Sequence, residues 1–202
     1  MILTFSLQFE IPPRVSPQSV IWAAWTVFVL FWFVAAFNRK QALKRESVAR
    51  RLVYVALLAT AFIVLSERQF PSDFLAGRLW PYLGWIAQLG ALLTVAGIAF
   101  SIWARVHIGR NWSGQVMIKR DHELIRSGPY ARIRHPIYTG LLFAVFGTFL
   151  TIGEGRAFLA FVVILLGFTY KAKREEALLA EHFGPAFDEH KKHTGFFLPR
   201  LT

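Results

Sequence analysis

The sequence predicts an all-α polytopic membrane protein with about five transmembrane helices and a C-terminal helical region beyond the bilayer. Three observations predict it. Apolar residues make up 55% of the 202, too many for a typical soluble domain of this length. They gather in five stretches nearly free of charge. The basic residues alternate across those stretches: nineteen of 23 follow spans one, three and five, and four lie in the other segments. By the positive-inside rule the N-terminus is then outside and the tail cytoplasmic. Topology thus accounts for a net charge of +11 that would otherwise suggest nucleic acid, and no nucleic-acid partner is expected. Cysteine is absent, which excludes disulfides, thiol nucleophiles and cysteine-ligated metals.

In chain order, MILTFSLQFEIPPRVSPQ lacks a basic n-region and a small-residue cleavage site and is not read as a signal peptide. Span one is Ser19–Phe37, with Trp22 and Trp25 at its start as interface anchors. A loop with Arg39, Lys40, Lys44, Arg45, Arg50 and Arg51 follows. Span two, Leu52–Leu65, is short unless it borrows residues around Arg51 and Ser66. The segment ERQFPSDFLAGRLWP has turn chemistry, and span three, Pro81–Ala104, carries Trp80, Tyr82 and Trp85 at one end and Trp103 at the other. After the polar segment Arg105–Arg134 come span four, Pro136–Ile152, the turn Gly153–Arg156 and span five, Ala157–Tyr170. These last two sit at the lower limit for a ~30 Å core, which leaves a tilted hairpin open. Lys171–Phe183 has helical spacing and stops at Gly184-Pro185. Span five is therefore expected to run on past the interface, carrying Glu175 and Glu176. One membrane domain results, with a three-helix part (1–104) and a ligand-binding part (105–202).

The chemistry concentrates in Asp121–Gly140, DHELIRSGPYARIRHPIYTG. Gly128-Pro129 favours a turn, and Pro136 suits the first turn of span four, where its missing N–H costs nothing. The amides and dipole at that helix start favour an anion, and Arg134 adds a full charge. His135 and Tyr138 are three apart and Arg134 and Tyr138 four apart, so they can share a face; an aromatic face can also hold a cation. A small molecule with a carboxylate, a sulfonium, an amine and a ribose diol fits this set: S-adenosylmethionine. Topology alone accounts for Arg132, but it requires neither the histidines nor the tyrosines. The pair Glu175–Glu176 lies on the same side one hairpin later and is able to bind the ribose hydroxyls or the amine of that ligand; taken alone it reads equally well as a solvated face.

The run HELIRSGPYARIRHPIYTG, followed some 35 residues later by REEALLAEHFG, resembles the isoprenylcysteine carboxyl methyltransferase family and the related phospholipid N-methyltransferases. The resemblance covers about Gly109–Thr202 and extends upstream through Asn111-Trp112-Ser113. It implies an integral membrane, S-adenosylmethionine-dependent methyltransferase. It also implies that His122, Leu124, Gly128, Tyr130, His135, Pro136 and Tyr138 line the cofactor pocket and that Glu175 and Glu176 close it. Relatives often carry tyrosines three apart after the Phe-Gly element. Here Phe187 and His190 stand there, a departure that bears on the lid or on substrate preference. Arg200, near the end, is placed to return to the site.

Methyl transfer to a carboxylate needs a cation to orient the acceptor, for which Arg134 and Arg174 are the candidates. An amine acceptor must lose a proton, with Glu176 or a histidine as candidate base. The acceptor is expected to be lipophilic or lipidated, entering from the bilayer while the cofactor enters from water; an isoprenylcysteine-like carboxylate is the leading choice. Alternatives are a phospholipid amine, an NADPH-dependent membrane reductase and a non-catalytic membrane scaffold. No metal site is expected, because His182, His190 and His193 lack the dense spacing of a histidine-metal oxidase.

Overall fold

The computed structural model describes residues 15–35, 42–45, 47–66, 73–112, 117–119 and 123–200. Five apolar helices form the body, as the hydropathy predicts. They are α1 (Pro17–Ala35), α2 (Val48–Ser66), α4 (Gly84–Ile108), α5 (Pro136–Ile152) and α6 (Gly155–Phe183). Of these, α1, α4 and α6 are long and apolar enough to cross a membrane, and α2 and α5 contain shorter apolar stretches. A single turn, α3 (Asp73–Ala76), lies in the loop before α4, and α7 (Pro185–His193) follows α6. The protein is an integral membrane protein. Its outward faces carry Trp22, Leu30, Phe33, Leu52, Ile63, Trp85, Leu92 and Trp103, all largely exposed, as lipid contact requires.

Helix limits follow local chemistry. Ser16 caps α1 by accepting from the Ser19 amide at 3.1 Å, and Pro17 occupies the first turn, so the helix begins two residues before the expected start. Trp25, expected at the interface, donates its indole N–H to Thr148 near the end of α5 at 3.0 Å. α2 takes in both of its expected borrowed ends. α6 runs unbroken for 29 residues, so at 1.5 Å per residue it is ~43 Å long and outreaches a ~30 Å core. Gly184, with φ +51°, ends it, and Pro185 opens α7.

α5 packs between α4 and α6, with α1 against α4 and α2 against α6. The α4–α5 seam is made of small residues in a 4-3-4 rhythm. Gly90, Thr94, Gly97 and Ser101 face Thr151, Gly147, Ala144 and Gly140 in antiparallel order. A methyl group on Gly97 or Gly140 would collide with the other's carbonyl oxygen, and Gly90 and Gly147 stand in the same relation. Thr94 donates across the seam to Ala144 O at 3.1 Å, and Thr151 to Ala87 O at 3.0 Å. Without a hydrophobic drive between helices in lipid, such close backbone approach is what holds them.

Arginines cap the helix ends. The Ala35 carbonyl ending α1 accepts from Arg105 at 2.9 Å, that of Leu65 in α2 from Arg156, and that of Ile152 ending α5 from Arg78 at 2.8 Å. Arg105 also lies 4.4 Å over the ring of Trp112, and Arg156 pairs with Glu154 at 2.5 Å. Each guanidinium satisfies an orphan carbonyl at the negative pole of a neighbouring helix.

Two loop pairings agree with the charge alternation. β1 (Ala42–Arg45) and β2 (Met117–Lys119) form an antiparallel ribbon with Arg45 opposite Met117, which fixes the loops after spans one and three on one side. Arg78 and Glu154 form a bridge, with Leu79 N donating to Gly153 O at 2.7 Å, joining the loops after spans two and four. The ribbon was not legible in sequence, since three or four residues carry no usable alternation.

Candidate active site

The site is built where the polar end of α6 meets the start of α5. A short 3₁₀ turn, Gly128–Ala131, precedes α5. Gly128 adopts φ +57° against the ring of His107, whose Nε2 is 2.9 Å from Ser127 Oγ. Tyr130 is buried and stacked on His107 with centroids 6.4 Å apart; burial, then Glu175, pushes its phenol well above the ordinary tyrosine value, so it remains a protonated donor. It belongs to an apolar cluster with Ala104 and Ile137, against which Trp32, Trp112 and Tyr138 pack.

From this support α5 projects its first turn onto α6. Arg134 Nε donates to Glu176 Oε1 at 2.5 Å, and His135 Nε2 lies 3.2 Å from the same oxygen. The Tyr138 hydroxyl donates to Glu175 Oε1 at 2.6 Å, and His135 Nδ1 is 3.7 Å from Glu175 Oε2. The rings stack in series, His135 on Tyr138 at 5.7 Å and Tyr138 on Phe168 at 5.0 Å. Lys171 Nζ sits 5.4 Å over Tyr138 and 5.2 Å over Tyr54 of α2. Two carboxylates, two cations and a column of aromatic faces thus converge at one helix junction.

The chain after α7 completes it. Gly195 bridges Ile133, and the amides of Arg134 and His135 donate to the carbonyls of Gly195 (2.9 Å) and Phe196 (3.3 Å). Thr139 Oγ1 donates to Phe197 O at 2.6 Å, and Phe196 meets the His135 ring edge-on at 4.9 Å. The strap therefore pairs the two amides that precede α5 and leaves its first-turn amides to the helix start.

Of the residues singled out from sequence, Arg134, His135, Tyr138, Glu175 and Glu176 are directly connected, and Pro136 is the buried first residue of α5. Tyr130 stands behind them, Gly128 closes on His107, and Leu124 is half-buried in the segment leading to them. His122 lies outside the described residues. Arg134 is committed to Glu176 and to the α7 end through Thr194 O. Arg174, in contrast, has a buried Nε without a hydrogen-bond partner among the described residues. Arg200 binds Lys192 O at 2.6 Å instead of returning to the site. Sequence reasoning missed Lys171 and Tyr54 as part of the site. A lysine at a span boundary reads as topology, and nothing in α2 by itself points to α6.

The family model for isoprenylcysteine carboxyl methyltransferase matches residues 90–181. Over this stretch the chain is similar to that family. Among curated relatives, a protein-S-isoprenylcysteine O-methyltransferase of Schizosaccharomyces pombe is 33% identical over 101 residues, 48% of this chain and 43% of that one. The cobalt-zinc-cadmium resistance protein CzcN of Cupriavidus metallidurans is 29% identical over 121 residues, 58% of this chain and 53% of that one. The chain spans about half the length of these two relatives. A solved structure of the eukaryotic intramembrane Ras methyltransferase, isoprenylcysteine carboxyl methyltransferase, superposes with a TM-score of 0.60 at 20% identity. That superposition covers 95% of this chain and 69% of that one, and the two share a fold.

Proposed function

We propose that the protein is an integral membrane methyltransferase that moves a methyl group from S-adenosylmethionine to a lipophilic acceptor, a carboxylate of an isoprenylcysteine-like substrate. The observation that carries this reading is the seating of Glu175 and Glu176 on Tyr138, His135 and Arg134, inside the stretch the family model matches. The donor set fits the cofactor. Glu176 Oε2 makes no hydrogen bond among the described residues, and Glu175 Oε2 has only the 3.7 Å approach of His135. Each carboxylate thus keeps an oxygen for the hydroxyls or ammonium of the ligand.

When bound, S-adenosylmethionine supplies an electrophilic methyl carbon on a good leaving group. The chain contributes position and water exclusion. Arg134 fixes Glu176 and ties down the strap, while Arg174, whose buried Nε has no hydrogen-bond partner among the described residues, is the candidate to orient an acceptor carboxylate. Glu176 accepts from Arg134, and against the opposing effect of burial its hydrogen bonds to His135 and Arg134 hold its carboxyl below the usual carboxylate value, which makes it a poor base and favours an acceptor that needs none. The site is read as cytoplasmic and the N-terminus as outside, with residues 105–202 binding ligands and 1–104 completing the membrane body. Purified protein is expected to gain thermal stability from S-adenosylhomocysteine and to lose that gain in Glu176→Gln. It is also expected to turn a prenylated cysteine into a methyl ester with labelled cofactor. Stabilisation by NADPH without stabilisation by S-adenosylhomocysteine would sink the reading.

A further inference from the structure

Arginines hold α7 at both ends. Arg126 donates to Ala186 O at 2.7 Å near its start. Arg134 donates at its end to Thr194 O and, at 3.5 Å each, to Lys191 O and Thr194 Oγ1. Between these clamps the inward face presents Phe187 and His190, 1% and 7% exposed. Phe187 suits its apolar setting. His190 does so only while neutral. Its carbonyl accepts from Thr194 Oγ1 at 2.6 Å, and among the described residues no side chain hydrogen-bonds its ring.

The charged groups that reach the ring are Arg126 and Arg134 from the segment before α5, Glu176 from α6, and His193 from α7 itself. Two are fixed cations, and the one carboxylate is already shared by Arg134 and His135. A proton on His190 would place a third cation in a buried interface with no free counter-charge. We infer that His190 is a positioning residue of the α5–α6 site: neutral, it lets α7 close beside the Arg134–Glu176 pair, and protonated it loosens α7 and the strap 194–197. The consequence for ligand rests on the reading of that site as a cofactor pocket, but the loosening of α7 does not.

Burial, then the two guanidiniums, hold the ring below the ordinary histidine value of 6.5. The undocked state therefore binds more protons than the docked one. Docking is fully favourable above pH 6.5 and weakens as pH falls from 6.5 towards the lowered value. In that window the docking equilibrium changes by up to about tenfold per pH unit.

The test uses the full chain in nanodiscs, following hydrogen-exchange protection of residues 187–197 and S-adenosylhomocysteine affinity between about pH 7.5 and about pH 5.5. Protection in wild type is expected to fall on acidification with the slope above. In His190→Gln that fall should vanish, and His190→Tyr should also lack it. His193→Gln, whose ring pairs with Glu189 on the exposed face, should retain it. Affinity for S-adenosylhomocysteine should track protection. An undiminished acid response in both His190 variants, or its loss in His193→Gln, overturns the proposal. Absence of S-adenosylhomocysteine binding at every pH would instead overturn the cofactor reading, leaving exchange to decide this one.

Discussion

At the residue scale, the site is held by short polar contacts in a half-buried setting, where each missing partner leaves a costly orphan. The Tyr138 hydroxyl is the cleanest case, since it donates to Glu175 at 2.6 Å while its ring is clamped between His135 and Phe168. Tyr138→Phe keeps the stack and removes only that bond. A bond to a carboxylate is worth about 1.5–3 kcal/mol, so the variant is expected to melt about 3–12 °C lower. It should also bind S-adenosylhomocysteine more weakly than wild type, because Glu175 loses its orientation; unchanged affinity by titration calorimetry would remove Tyr138 from the site. Histidine, tyrosine and arginine within five residues of a helix-opening proline were readable as a ligand cassette. What Arg134 binds was not, because its partners Glu176 and Thr194 lie 42 and 60 residues away.

At the scale of elements, two devices do most of the work. The small-residue seam lets α4 and α5 touch backbone to backbone, and it fixes the height at which α5 presents His135 and Tyr138. Gly140→Ala drives a methyl group into the Gly97 carbonyl, with an expected cost of about 1–3 kcal/mol. Gly84→Ala, at a position with open space, should leave the melting temperature within about a degree of wild type. Equal melting curves for the two variants would rule out the seam as a stabilising contact. Arginine caps are the second device. They also refine the charge count: Arg78 and Arg156, two of the four bases on the sparse side, and Arg105, one of the nineteen on the other, are spent on helix-end carbonyls. Topology is thus read from an even cleaner asymmetry than the raw numbers give.

At the scale of the molecule, five helices and two loop pairings define two sides, with the α5–α6 site on the side of the β1–β2 ribbon. The absence of native cysteine makes orientation directly measurable. Lys173→Cys and Asp73→Cys place single thiols at exposed positions beyond α6's membrane part and in the loop before α4. In right-side-out vesicles an impermeant maleimide should label Asp73→Cys, while Lys173→Cys should react only after the membrane is opened. The reverse pattern would invert the assigned topology. α6 matters most here, since a helix ~43 Å long carries its two carboxylates beyond a ~30 Å core to meet the start of α5.

Composition and periodicity by themselves determined the five apolar helices, the two sides, the unbroken run of α6 and the residue types of the candidate site. These are one-dimensional properties, written in hydropathy, charge order and helix-breaking Gly-Pro. Only the tertiary structure decided how those residues divide their tasks. It set Arg134 to Glu176 and the α7 cap, left the buried Arg174 Nε without a hydrogen-bond partner among the described residues, brought Tyr54 and Lys171 to Tyr138, and tied the 194–197 strap to the amides just before α5. The reason is physical. A donor's partner is fixed by which helices pack together, and here packing is set by glycine contacts between segments some fifty residues apart, which no local pattern encodes.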